Sequence, residues 1–166
     1  MYTKKLTTKF ALGALPLLLT CAAALASQTG PLRVTQVAEM ETTVVAADGS
    51  KQTRLVPATL VAPGGEVIYT VKFENVGTQP ASDLVVTNPV PEHTRLVPHG
   101  AGGPGTEVTF SIDGGRSFGV PANLVVRGED GERAATPDDY THVRFRLVNP
   151  LPPGQVAFAR FRTVVK

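Results

Sequence analysis

No long stretch of this chain beyond residue 26 shows helical periodicity uninterrupted by glycine or proline. Proline costs about 3 kcal/mol inside a helix and glycine about 1 kcal/mol, so what lies between these residues is left to strands and turns. Where apolar residues recur, they do so at every second position. Val67, Tyr69, Val71 and Phe73 alternate with Ile68, Thr70, Lys72 and Glu74, the pattern of a half-buried strand with one apolar face. Pro63-Gly64-Gly65 turns the chain into that strand and Asn75-Val76-Gly77 turns it out. Leu84-Val85-Val86 begins the next strand, and Asn88-Pro89-Val90-Pro91 stops its pairing.

The same texture continues to the last residues. Glu107 to Ile112 and Leu124 to Val126 read as strands, Val143, Phe145 and Leu147 alternate with Arg144 and Arg146, and Ala157, Ala159, Phe161, Thr163 and Val165 share one parity. Thr42 to Ala46 and Gln52 to Val56 flank Asp48-Gly49, a strong short-range signal for an N-terminal β-hairpin. Seven or more short strands with frequent turn signals favour an all-β, antiparallel two-sheet sandwich. No βαβ alternation points to a nucleotide-binding fold.

Residues 1–26 read as a cleavable export signal. Lys4, Lys5 and Lys9 form a basic start, and Phe10 to Ala24 is apolar but shorter than the ~20 residues that span a membrane. Ala24-Leu25-Ala26 is a small-x-small cleavage site that would leave Ser27 first. Cys21 raises the alternative of lipidation, but Leu18-Leu19-Thr20 before it lacks the small residue that a lipoprotein box carries. The expected product, residues 27–166, would form one domain in the periplasm or outside the cell, with no transmembrane segment. Three of the 16 basic residues and none of the 14 acidic ones precede Ser27, so the exported part carries net charge −1 and gives no reason to expect nucleic acid as a partner. Loss of Cys21 with the signal would leave no thiol for disulfides or nucleophilic catalysis.

The run Val61-Ala62-Pro63-Gly64-Gly65-Glu66-Val67-Ile68-Tyr69-Thr70-Val71, preceded by Val56-Pro57-Ala58 and followed by Asn75-Val76-Gly77 and Asn88-Pro89-Val90-Pro91, resembles the bacterial DUF11 or "conserved repeat" domain. Ser111-Ile112-Asp113-Gly114-Gly115, Tyr140-Thr141-His142-Val143-Arg144 and Leu151-Pro152-Pro153-Gly154 are similar to its exported single-domain members. Phe145 stands where a Trp often follows the Arg. The resemblance spans most of residues 27–166. It implies an immunoglobulin-like sandwich in exported and envelope-associated proteins and carries no catalytic residue to transfer. The single copy weakens a role as a tandem stalk.

Ser111-Ile112-Asp113-Gly114-Gly115-Arg116-Ser117-Phe118 fits the Asp-box spacing, in which the Asp accepts turn N–H groups and the glycines take positive φ; it reads as a folding hairpin. Glu129, Asp130, Glu132, Asp138 and Asp139 crowd a segment read as an irregular, solvated loop, with a calcium-stabilised loop as the alternative. His93, His99 and His142 lack zinc-site spacing, and no Ser, His and Asp arrangement has a nucleophile's context. Lys72 faces opposite to Tyr69, Val71 and Phe73, away from the core where an isopeptide crosslink would form, and Lys51 beside the hairpin turn is a poorer candidate. No metal or other cofactor is expected.

The sharpest surface expectation comes from pairing the last two strands across the turn Pro150 to Gly154. With Leu147 facing Ala157, Arg144 would lie opposite Arg160 and His142 opposite Arg162, with Arg146 beside them. Such a basic stripe would either interleave with acids such as Asp83 or face an anionic partner. The leading functional expectation is a noncatalytic structural or interaction module of the bacterial cell envelope. Its partner would be an envelope protein or an anionic polymer met at Arg144, Arg146, Arg160 and Arg162. The alternative is an accessory glycan- or calcium-binding domain.

Overall fold

A computed structural model describes residues 32–128 and 131–166; the segment expected to be an export signal, Cys21, Glu129 and Asp130 lie outside the described residues. The strands are β1 (Leu32–Val45), β2 (Lys51–Pro57), β3 (Glu66–Asn75), β4 (Val85–Pro89), β5 (Thr94–Gly102), β6 (Thr106–Ser111), β7 (Val125–Gly128), β8 (Gly131–Ala134), β9 (His142–Leu147) and β10 (Val156–Val165). They form a five-stranded sheet in the order β2-β1-β3-β10-β5, a three-stranded sheet in the order β4-β9-β6, and the separate ribbon β7-β8. All pairings are antiparallel, and the two larger sheets pack face to face as an immunoglobulin-like sandwich. No described helix is long and apolar enough to cross a membrane.

The core follows the alternation read from the sequence. Val71 and Phe73 of β3, Ala159 and Phe161 of β10, and Val143 and Phe145 of β9 are buried in one cluster. Phe161 stacks on Tyr69 with ring centroids 4.7 Å apart and meets Phe145 across the sheets at 6.3 Å. One part of the pattern differs. Ile68 and Thr70, on the outward parity of β3, are also buried, at 3% and 7% exposure. Val61 and Arg162 line a recess with Ile68, and the Arg160 Nε donates to Thr70 Oγ1 at 3.2 Å, so the preceding loop and two long side chains cover what alternation assigns to solvent.

The N-terminal hairpin forms as expected, with Val45 opposite Lys51 and the Asp48 carboxylate accepting the N–H and hydroxyl of Ser50. β1 serves two neighbours in turn. Leu32 to Glu39 pairs with β3, and Glu39 to Val45 pairs with β2, so the hairpin tip extends past the start of β3. β5 has no counterpart among the strands expected from the sequence. Pro98 and Gly100 interrupt its alternation at a bulge.

Candidate functional site

The expected arginine stripe does not form, because β9 and β10 belong to different sheets. Leu147 lies opposite Thr106 and Ala157 opposite Phe73. Arg144 sits between Thr87 and Thr109, whereas Arg160 sits between Thr70 and Gly102; His142 lies opposite Pro89 and Ser111, and Arg162 opposite Ile68. The turn between the strands is occupied elsewhere. Gly154 N–H donates to the Asn75 carbonyl, Asn75 N–H donates to that of Gln155, and Ala81 and Leu151 exchange a pair of hydrogen bonds. Backbone groups that would start a hairpin instead carry the chain from one sheet to the other. Since Phe145 and Phe161 point inward toward each other, the two arginine pairs project from opposite outer faces of the sandwich.

On each face one arginine is neutralised locally. Arg146 lies 3.6 Å from Asp83 and 3.5 Å from Glu107. Arg162 lies 2.9 Å from Glu41 and 3.3 Å from Glu66, and the hydrogen bond to Glu41 is the main cause raising its pKa above the ordinary arginine value. Interleaving with acids, Asp83 among them, is therefore the branch realised at these two positions. Arg144 and Arg160 have no carboxylate within ion-pair distance among the described residues. Each donates its Nε to a threonine, Thr87 at 3.1 Å and Thr70 at 3.2 Å.

Arg144 has a second support, which the Asp box supplies. Ser111, fully buried at the end of β6, donates its hydroxyl to Asp113 at 2.7 Å and accepts the Gly115 N–H at 2.9 Å. Asp113 in turn accepts the Arg116 and Ser117 N–H groups and the Ser117 hydroxyl, with Gly114 and Gly115 at φ of 76° and 85°. These bonds, that of the Ser117 hydroxyl first, hold the Asp113 carboxyl far below the usual carboxylate range. Gly114 N–H also donates to Thr141 Oγ1, and Gly115 lies beside the His142 ring, where an added Cβ would be in van der Waals contact at 3.4 Å. The turn is thus seated on the start of β9 before it returns at Gly119, which pairs with Phe110. Phe118, the last residue of the box, is thereby placed against Arg144, whose Cζ lies 3.4 Å from the ring centroid. The guanidinium is held at its Nε and on one flat face, and its two terminal nitrogens make no hydrogen bond among the described residues.

The described part of the acidic segment, from Gly131 onward, is a strand and a set of ion pairs and not an irregular solvated loop. Gly131 to Ala134 is strand β8, paired with β7. Glu132 bonds Arg127 at 2.8 Å, and Asp138 bonds Lys166 at 3.1 Å. Asp139 takes the Arg133 fork at 2.6 and 2.7 Å and also the Thr136 N–H and hydroxyl, contacts that hold its carboxyl well below the usual range, the Arg133 bond foremost. Among the described residues no group of three or more His, Cys, Asp or Glu side chains is placed to hold a metal ion. Lys72 lies on the outer face and bonds Glu74 at 3.0 Å.

A largely apolar cleft of about 350 Å³ opens between β5 and β6, with buried Leu96 and Tyr140 in its lining and Pro98, His99 and Pro121 exposed. Its lining comes from segments far apart in the chain, so no local motif announces it.

No family model matches the chain, and neither curated proteins nor solved structures yield a match.

Proposed function

We propose that the chain is an exported, noncatalytic interaction module of the bacterial cell envelope that meets an anionic partner, an acidic polymer or the acidic surface of an envelope protein, at the outer face of the three-stranded sheet. The observation that carries this reading is the state of Arg144: oriented by Thr87 and Phe118, paired with no described carboxylate, and with both terminal nitrogens free to donate. A preoriented guanidinium loses less freedom on meeting a carboxylate or phosphate than a solvated one, and its two parallel N–H groups match either anion. The export signal and the resemblance to DUF11 domains are the grounds for the envelope setting. A calcium-binding role has weaker support, because Glu132, Asp138 and Asp139 already bond cationic side chains.

The test is an affinity capture from native envelope with the tagged protein and with Arg144→Gln, Arg146→Gln and Arg160→Gln. The proposal expects one anionic component to be recovered by the parent and by the Arg146 and Arg160 variants. Arg144→Gln should weaken that recovery about tenfold or more, the scale of a lost charge-assisted hydrogen bond. Equal recovery by all four proteins, each with an unchanged melting curve, would remove Arg144 from any binding role.

A further inference from the structure

The cleft between β5 and β6 exists because β5 does not run straight. Phe161 of β10 lies opposite Ala101, and Thr163 lies opposite Leu96, so Val97, Pro98, His99 and Gly100 all face the single residue Arg162. These four residues form a bulge on the edge strand and line one side of the cavity. The bulge is held at a cost. His99 sits at φ 56°, a left-handed conformation that strains a non-glycine residue. At Gly100 a Cβ would stand 2.9 Å from the Val97 carbonyl oxygen and 3.2 Å from the Arg162 Cβ, so a side chain there would push the bulge off β10.

The bulge exposes an apolar interior. Phe110 and Tyr140 are stacked with centroids 4.6 Å apart and planes 14° from parallel. Leu96, at 2% exposure, lies deep in the site, while Val108 and Ala101 contribute aliphatic surface from the two facing sheets. Pro121 and Pro137 bring apolar pyrrolidine rings from the connections that follow β6 and β8. Among the described residues no Asp, Glu, Lys or Arg lines the space, and burial pushes the Tyr140 phenol above its ordinary pKa.

We infer that this cleft binds a small uncharged molecule carrying an apolar ring, seated against the Phe110 and Tyr140 pair. Its volume of about 350 Å³ falls at the lower end of the range of small-molecule sites, roughly 300–1,000 Å³. An ionised ligand would lose its hydration there with no carboxylate, ammonium or guanidinium of the described lining to replace it, His99 lying at the exposed side of the bulge. A neutral ring would exchange poorly bonded water over apolar walls for close contact with flat surfaces. This inference is independent of Arg144, which lies on the outer face of the three-stranded sheet.

The test is a fluorescence titration of the purified protein with N-phenyl-1-naphthylamine, a neutral probe, and with anilinonaphthalene sulfonate, its charged counterpart. Ala101→Phe fills the cleft from within, and Pro121→Trp obstructs it from an exposed position with little demand on folding. Phe158→Ser is the control, since Phe158 is 47% exposed on the other face and offers a competing apolar surface. The expected result is saturable binding of one neutral probe per chain, at least about tenfold tighter than the sulfonate, weakened at least about tenfold by both cleft variants and unchanged in Phe158→Ser. Absence of saturable binding would overturn the inference. So would loss of binding in Phe158→Ser alone, equal affinity for the charged probe, or displacement of the probe by an extended apolar peptide but not by neutral ring compounds.

Discussion

The tripeptide Arg-Phe-Arg occurs on both β9 and β10, as Arg144-Phe145-Arg146 and Arg160-Phe161-Arg162, and the two copies meet back to back. Each sends its phenylalanine into the core and its arginines to the outside. Each sets one arginine between two carboxylates and leaves the other on a threonine hydroxyl. The copies part company in what lies over them. Arg144 carries the Phe118 ring delivered by the Asp box, while no aromatic ring faces Arg160 among the described residues. Identical strand sequence thus determines which way a side chain points, and neighbouring segments determine what it is able to do there.

The largest expected effects fall on what the two copies share. Phe145→Ala and Phe161→Ala should each cost about 3–5 kcal/mol in denaturant unfolding, with Phe161 the more costly because it also stacks on Tyr69. A double-mutant cycle should return a coupling of about 0.5–1.5 kcal/mol, and strict additivity would show that the two rings do not act as one contact. Next in size is Ser111→Ala. It removes a buried hydroxyl that anchors the Asp box and should cost about 1–3 kcal/mol, with the loss of order confined to the β9 side in amide-exchange measurements.

The Asp box also makes the β9 side acid-sensitive. The Asp113 carboxyl is depressed in the folded state, so its stabilising effect is full above the unfolded pKa of about 3.9 and fades as pH falls toward the depressed value. The gap in melting temperature between the parent and Asp113→Asn should therefore hold steady from neutral pH to about pH 5 and narrow below about pH 4. A gap still constant at pH 2 would show that the charge of Asp113 contributes nothing.

The smallest effects separate the arginines themselves. Arg144→Gln should cost about 0.5–1 kcal/mol more than Arg160→Gln, the increment of an exposed cation–π contact, and Phe118→Leu should abolish the difference. Arg146→Gln and Arg162→Gln should each cost no more than about 1 kcal/mol and less in high salt, because both ion-pair sets are largely exposed to water.

Much of this architecture was legible in the residues. The alternations in β9 and β10 survive intact, that of β3 survives on its inward face while Ile68 and Thr70 are covered on the other, Asp48-Gly49 makes its hairpin, and the Asp box folds as its spacing demands. The error lay in the step from strands to pairing. A period of two shows that a strand has one apolar face, and two such strands joined by a short turn satisfy it equally as a hairpin or as facing members of a sandwich. What decides between them here is the bonding of the turn to Asn75 and Ala81, residues distant in sequence. β5 escaped notice for a related reason. Its bulge spends Pro98, His99 and Gly100 on a local shape that erases the period, and that same shape opens the cleft. The alternation of β9 is enough to turn Arg144 outward, but its partners Thr87 and Phe118 follow only from strand order.

β10 lies between β3 and β5 and pairs with both. Until Val156 to Val165 has been synthesised, the larger sheet exists only as two fragments with unpaired edges, and the side-chain bond from Arg160 to Thr70 must close a separation of 90 residues. Assembly of the sandwich therefore waits on β10, the last of its strands in chain order. Folding should be slow, as it is where distant segments must meet first, and a nascent chain stalled before β10 would expose open strand edges to aggregation.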